Sequence, residues 1–149
     1  MDKEEGMISI SMLIVLSLMA VFSLYIYRLS ITENDSLEIL KMNMQTKNYT
    51  ISESLNLIDI YKYDKEKWQD VCMKAQGKDD FDEAIVVDEK TVIDKQMKKS
   101  VKIKAYLMQI YNQDIYKLIV ESSLEDITNQ NCIYLQKKDD DCIVQRWER

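Results

Sequence analysis

The sequence contains no histidine and no proline, and it has only two glycines, Gly6 and Gly77. Each absence removes a class of chemistry. Without histidine there is no Ser-His-Asp or Cys-His nucleophile arrangement and no His-containing zinc site. With Gly77 as the one glycine beyond the first six residues, a Gly-rich phosphate-cradling loop cannot form. Basic clusters are missing as well. Twenty Lys and Arg stand against 26 Asp and Glu, a net charge of −6, so the chain carries no electrostatic footprint for nucleic-acid phosphates. Carboxylates are plentiful, but no acid pair has a spacing that separates it from ordinary surface charge. The expectation is a chain that is not an enzyme, has no cofactor or metal, and does not bind DNA or RNA by itself.

What is present begins at Met7. From there to Tyr27 the chain is uncharged and apolar. About 21 residues at ~1.5 Å each make a helix of ~32 Å, enough to cross a hydrocarbon core of ~30 Å. Tyr25, Tyr27 and Arg28 then read as an interfacial belt. The four serines of the run, Ser9, Ser11, Ser17 and Ser23, can bond back to the i−4 carbonyl or across to another helix.

No proline or glycine interrupts residues 7–76, so the helix is expected to continue past the membrane to about Tyr63. Apolar residues recur at Leu37, Leu40, Met44, Ile51, Leu55 and Ile58, the helical spacing of a core-facing stripe. Asp64 begins a second short helix with Trp68, Val71, Cys72 and Ala75 on one face, and Gly77 suits the left-handed residue that ends it. Lys78–Glu83 reads as a solvated loop.

From Ala84 the pattern becomes β-rich. Ala84–Asp88 and, more weakly, Thr91–Asp94 read as strands. Val101, Ile103, Ala105 and Leu107 alternate with Lys102, Lys104, Tyr106 and Met108, a half-buried strand. Asn112, Gln113 and Asp114 supply a turn into Ile115–Glu121. Cys132–Gln136 and Cys142–Trp147 form a last hairpin around residues 138–141. The expected fold class is α+β: a long N-terminal helix packed on a C-terminal antiparallel sheet. The expected organisation is a leader at 1–6, a membrane helix at 7–27, its amphipathic continuation at 28–63 and an extracytoplasmic head at 64–149.

Glu5, Gly6, Met7 and Ile8, opening an uninterrupted apolar helix, resemble the class III leader of type IV pilins and type II secretion pseudopilins. The resemblance is specific over residues 3–27 and architectural beyond them. It implies a dedicated aspartyl peptidase that cuts between Gly6 and Met7, with N-methylation of Met7. Its implied partners are that peptidase, other pilin subunits and membrane lipid. It also implies a chain stored in the membrane with its C-terminal part outside, and later built into a surface filament.

Two features depart from the family. Residues 1–6 carry one Lys against three acids, where most leaders are basic. The fifth mature position, usually Glu, is Ser11. A carboxylate at bilayer depth costs ~2.5–3.5 kcal/mol on insertion scales unless it is paired. A subunit with no neighbour above it lacks that pairing, so Ser11 resembles minor, filament-priming subunits. Ser11 and Ser17, with the stripe from Leu37 to Ile58, would then be helix-packing residues.

Many pilins staple a C-terminal loop, and by that resemblance Cys132 and Cys142 are the disulfide pair. A tight hairpin turning at Asp139 would set Cys142 opposite about Gln136, so the bridge needs a wide loop; three free thiols are the alternative. Cys72 is expected under the second helix. The acidic runs at 79–83 and 139–141 lack the alternating ligand pattern of a calcium loop and read as solvated turns. Asn48, Tyr49 and Thr50 match a glycosylation sequon by chance, on the proposed helix. The alternatives to a filament subunit are a single-pass anchored adaptor or sensor unrelated to pili and, more remotely, an anchored hydrolase that uses carboxylates.

Overall fold

The computed structural model describes residues 3–110 and 114–148, with side chains from Ile10 onward. The fold is α+β. Helix α1 runs Lys3–Tyr63 without a break, as the lack of helix breakers requires. Helix α2 spans Lys65–Ala75, with the Asp64 side chain accepting from the Lys67 N–H at 3.0 Å as its N-cap. Five strands follow: β1 Ile85–Ile93, β2 Ser100–Gln109, β3 Ile115–Leu124, β4 Ile127–Lys138 and β5 Asp141–Glu148. They form one antiparallel meander in sequence order.

Sequence patterning anticipates most of these elements. The two short strands expected before residue 95 are one strand, β1, with a pairing irregularity between Val86 and Asp88. β4 begins at Ile127, ahead of the expected Cys132, through its pairing with β3; residues 128–131 are all polar, so no alternation of apolar side chains marks them in the sequence. Asn112 and Gln113 of the expected turn lie outside the described residues.

The chain divides into two compact units, Met1–Lys41 and Met42–Arg149. Asp64 lies between the two helices of the second unit. In the first unit the helix bears exposed apolar side chains from Ile10 through Ile31 on every side. Three of its hydroxyls are turned onto its own backbone: Ser17 to Leu13 O (2.6 Å), Thr32 to Arg28 O (3.0 Å) and Ser36 to Thr32 O (2.8 Å).

In the second unit α1 and α2 cover one face of the sheet. Trp68 is fully buried there, between Tyr61 (centroids 5.3 Å apart) and an edge-on Tyr116 (5.6 Å). Val71, Cys72 and Ala75 of α2 are buried beside it, as expected. Val101, Ile103, Ala105 and Leu107 supply the β2 side of the core and are at most 2% exposed. The chain leaves α2 through Gly77 at φ +77°, whose N–H donates to Gln109 Oε1 at 2.7 Å.

Candidate functional site

The expected processing site falls in the first turns of α1. Gly6 and Met7 are helical in backbone, and the Met7 side chain lies outside the described residues. Downstream, the residues from Ile10 to Tyr27 form a helical surface that is apolar all round and exposed. Among the described residues this is the helix apolar and long enough to cross a membrane. Exposing that much apolar area in water is unfavourable by ~25 cal/mol per Å², and the helix is long and apolar enough for a bilayer to cover it. Ser11 lies on this surface, and Ser17 makes the back-bond to Leu13.

The apolar stripe needs correction. Of the six residues expected to face the core, only Ile58 is buried, at 4% exposed. Ile51 is half-buried, and Leu37, Leu40, Met44 and Leu55 are all exposed. The face of α1 that meets the sheet is instead Met42, Thr46, Thr50, Glu53, Ser54, Leu57, Ile58 and Tyr61. Its middle is polar and small.

Those hydroxyls are satisfied in two directions. Thr46, Thr50 and Ser54 donate to the carbonyls of Met42, Thr46 and Thr50 one turn back, at 2.8–3.0 Å. Thr50 Oγ1 lies 2.6 Å from Ser122 Oγ on β3, and Ser122 Oγ donates to Thr46 O at 2.7 Å. From β4, Asn129 Nδ2 donates to Thr46 Oγ1 at 2.6 Å and Asn131 Nδ2 to Ser54 Oγ at 3.0 Å. Small residues let the helix approach the strands closely, and the paired hydroxyls offset the desolvation that approach demands. Hydrophobic periodicity cannot register such a seam; the signal in the sequence is a run of Thr and Ser four residues apart.

The buried carboxylates of this unit are engaged structurally. Glu53 is ion-paired with Lys90 and accepts from Asn56 Nδ2. Asp94 accepts from the Gln96 and Met97 N–H groups (2.9 and 2.7 Å) and from the Tyr49 hydroxyl (3.1 Å). Burial and the Asp94 carboxylate both push the Tyr49 phenol above its usual value.

The cysteines are free thiols, and the expected Cys132–Cys142 disulfide is absent. Strand register gives the reason. Cys142 opposes Lys137, whereas Cys132 opposes Glu148 at the far end of the same strand pair. Cys142 is buried in the core, but Cys132 lies on the other face of the sheet, half-buried with Tyr134. A disulfide needs Cα atoms within ~7 Å, and this hairpin turns too tightly to provide that. Burial raises the Cys72 thiol to about 12 and the Cys142 thiol to about 11, and it also raises Cys132. All three are poor nucleophiles.

The acidic turn before β5 is occupied by α2. Asp140 accepts from Gln69, and Asp141 pairs with Lys65 at 2.7 Å. On the outer face of the sheet Phe81 packs on Tyr106 (5.4 Å) and Lys117 Nζ lies 5.7 Å over the Tyr134 ring.

No protein-family model, curated protein or solved structure matches the chain. What the chain does is therefore read from its own residues and their arrangement.

Proposed function

We propose that this chain is a minor type IV pilin-like or pseudopilin subunit that assembles into, primes or caps a filament of a pilus, competence or type II secretion-like system. The observation that supports the reading is the helix surface from Ile10 to Tyr27, apolar and exposed on every side, carried by the same helix that enters a helix-on-sheet unit. A segment of that composition serves first as a membrane anchor and then as filament core, where neighbouring helices replace lipid. The leader-like residues from Glu5 to Ile8 add a cut between Gly6 and Met7 and methylation of Met7. The exposed Leu37, Leu40, Met44 and Leu55 extend the packing surface to further subunit helices. The second unit then lies outside the cell membrane. Its role is assembly rather than catalysis, in keeping with buried acids already held by partners.

The mature N-terminus tests this. In cells that contain the peptidase, intact-mass measurement is expected to show loss of residues 1–6 and one added methyl on Met7. Gly6→Ala is expected to leave the leader in place. A mature chain that retains Met1 overturns the reading. The acidic leader favours a second reading, a single-pass anchored adaptor or sensor, and that same uncut Met1 is what it predicts.

A further inference from the structure

Cys72 on α2 and Cys142 on β5 belong to one core cluster and are 1% and 6% exposed. Helix α2 packs against β5, and two side-chain pairs fix where. Lys65 is ion-paired with Asp141 at 2.7 Å, and Gln69 donates to Asp140. Residues 65, 69 and 72 follow the i, i+4, i+7 spacing of one helix face, and Cys142 follows Asp141 directly. The row that meets the start of β5 with its first two members therefore carries Cys72 as its third.

Strand register brings the same two residues together from the sheet side. Tyr116 opposes Leu135 and Lys137 opposes Cys142, so Tyr116, Lys137 and Cys142 lie at the same end of three adjacent strands. The Tyr116 hydroxyl bonds to Cys72, and the charges of Lys137 and Cys142 both act on that thiol. Tyr61 of α1 is within electrostatic reach of both thiols. Cys132 stands apart from this group, on the other face of the sheet.

We propose that Cys72 and Cys142 are a dithiol pair that closes into a disulfide between α2 and β5 in an oxidising compartment. The oxidant is itself a disulfide, small or protein-borne. One thiolate of the chain attacks it and forms a mixed disulfide, releasing one acceptor thiolate. The second chain thiolate then attacks the chain sulfur of that mixed disulfide and releases the other. The two chain thiols lose two electrons and two protons, and the acceptor disulfide takes up both to become two thiols. Burial slows the attack in the folded state, so the bond forms as the core closes. It encloses β1 to β4 in a loop of about 70 residues. The pair does not depend on the filament reading: an uncut leader leaves it standing.

The test uses the full Cys132→Ser chain in detergent micelles. It is equilibrated at fixed reduced glutathione against a series of oxidised glutathione concentrations, with and without denaturing urea. Acid quenching, alkylation, intact mass and peptide mapping then read the Cys72–Cys142 bond. The native chain is expected to reach half oxidation at about a hundredfold lower oxidised glutathione than the urea-unfolded chain, because the fold holds the two thiols together. The oxidised chain is expected to unfold at a higher temperature than the reduced one. Refolding the reduced parent chain with oxidised glutathione is expected to give the same bond, with Cys132 outside it. Half oxidation at equal or higher oxidised glutathione in the native chain overturns the proposal. So does a parent chain whose disulfide includes Cys132, or an oxidised chain no more heat-stable than the reduced one.

Discussion

Thr46, Thr50 and Ser54 repeat every four residues along α1, and each spends its hydroxyl on the carbonyl one turn back as well as on the sheet. Loss of the Thr50 hydroxyl still leaves Ser122 bonded to Thr46 O, and loss of the Thr46 hydroxyl still leaves Asn129 bonded to Asn43, but Asn131 Nδ2 depends on Ser54. Ser54→Ala strands Asn131 Nδ2 in a buried position and is expected to cost ~1–3 kcal/mol in thermal or denaturant unfolding. Trp68→Ala, which empties the centre of the aromatic cluster, is expected to cost ~3–5 kcal/mol. The buried thiols make stability depend on alkaline pH. Cys72 ionises near its ordinary value of 9.0 when unfolded but at about 12 when folded, and Cys142 at about 11. The folded state therefore holds these protons longer than the unfolded state. Their contribution is complete below pH 9 and is lost as pH rises through the folded values. Unfolding midpoints measured from about pH 8 to about pH 11 are expected to fall, and Cys72→Ala is expected to flatten that slope.

At the scale of elements, α2 and the sheet are joined through Gly77, whose φ of +77° a side-chain-bearing residue adopts only with strain. No atom lies within 4 Å of an added Cβ, so the strain is conformational and not steric crowding. Gly77→Ala is expected to destabilise by ~1 kcal/mol and to be read as a shift in midpoint with unchanged denaturant slope. Strands with clean alternation are legible in the sequence, β2 above all, because one face is solvated and the other is core. The first half of β4 is not. Its Thr128, Asn129, Gln130 and Asn131 alternate in environment but not in polarity, since the core-side residues there are amides serving the hydroxyl seam. The apolar stripe on α1 misleads for the complementary reason. Leu37, Leu40, Met44 and Leu55 keep helical period, but period fixes only that residues share a face, not which face meets the sheet.

For the whole molecule, the exposed residues of that stripe separate folding from assembly. Leu37→Lys together with Leu40→Lys changes side chains that are 63% and 54% exposed, so unfolding of the second unit is expected to stay within ~0.5 kcal/mol of the parent chain. Under the proposed function the same pair lowers incorporation into sheared filaments, with the chain retained in membranes. Equal incorporation of parent and variant would remove these residues from the packing surface.

The sequence by itself determined the elements whose signals are local. The apolar run from Met7, the absence of helix breakers as far as Gln76, the Asp64 cap and the alternation in β2 each act through covalent geometry or solvent preference within a few residues. Tertiary structure decided what depends on register and on partners distant in the chain. It placed Cys132 and Cys142 on opposite faces of the β4–β5 hairpin and chose hydroxyls over leucines for the helix–sheet seam. The cysteine placement follows from the β4–β5 register, and the seam follows from hydrogen bonds between groups about 70 to 80 residues apart, such as Thr50 with Ser122 and Ser54 with Asn131, which no local pattern encodes.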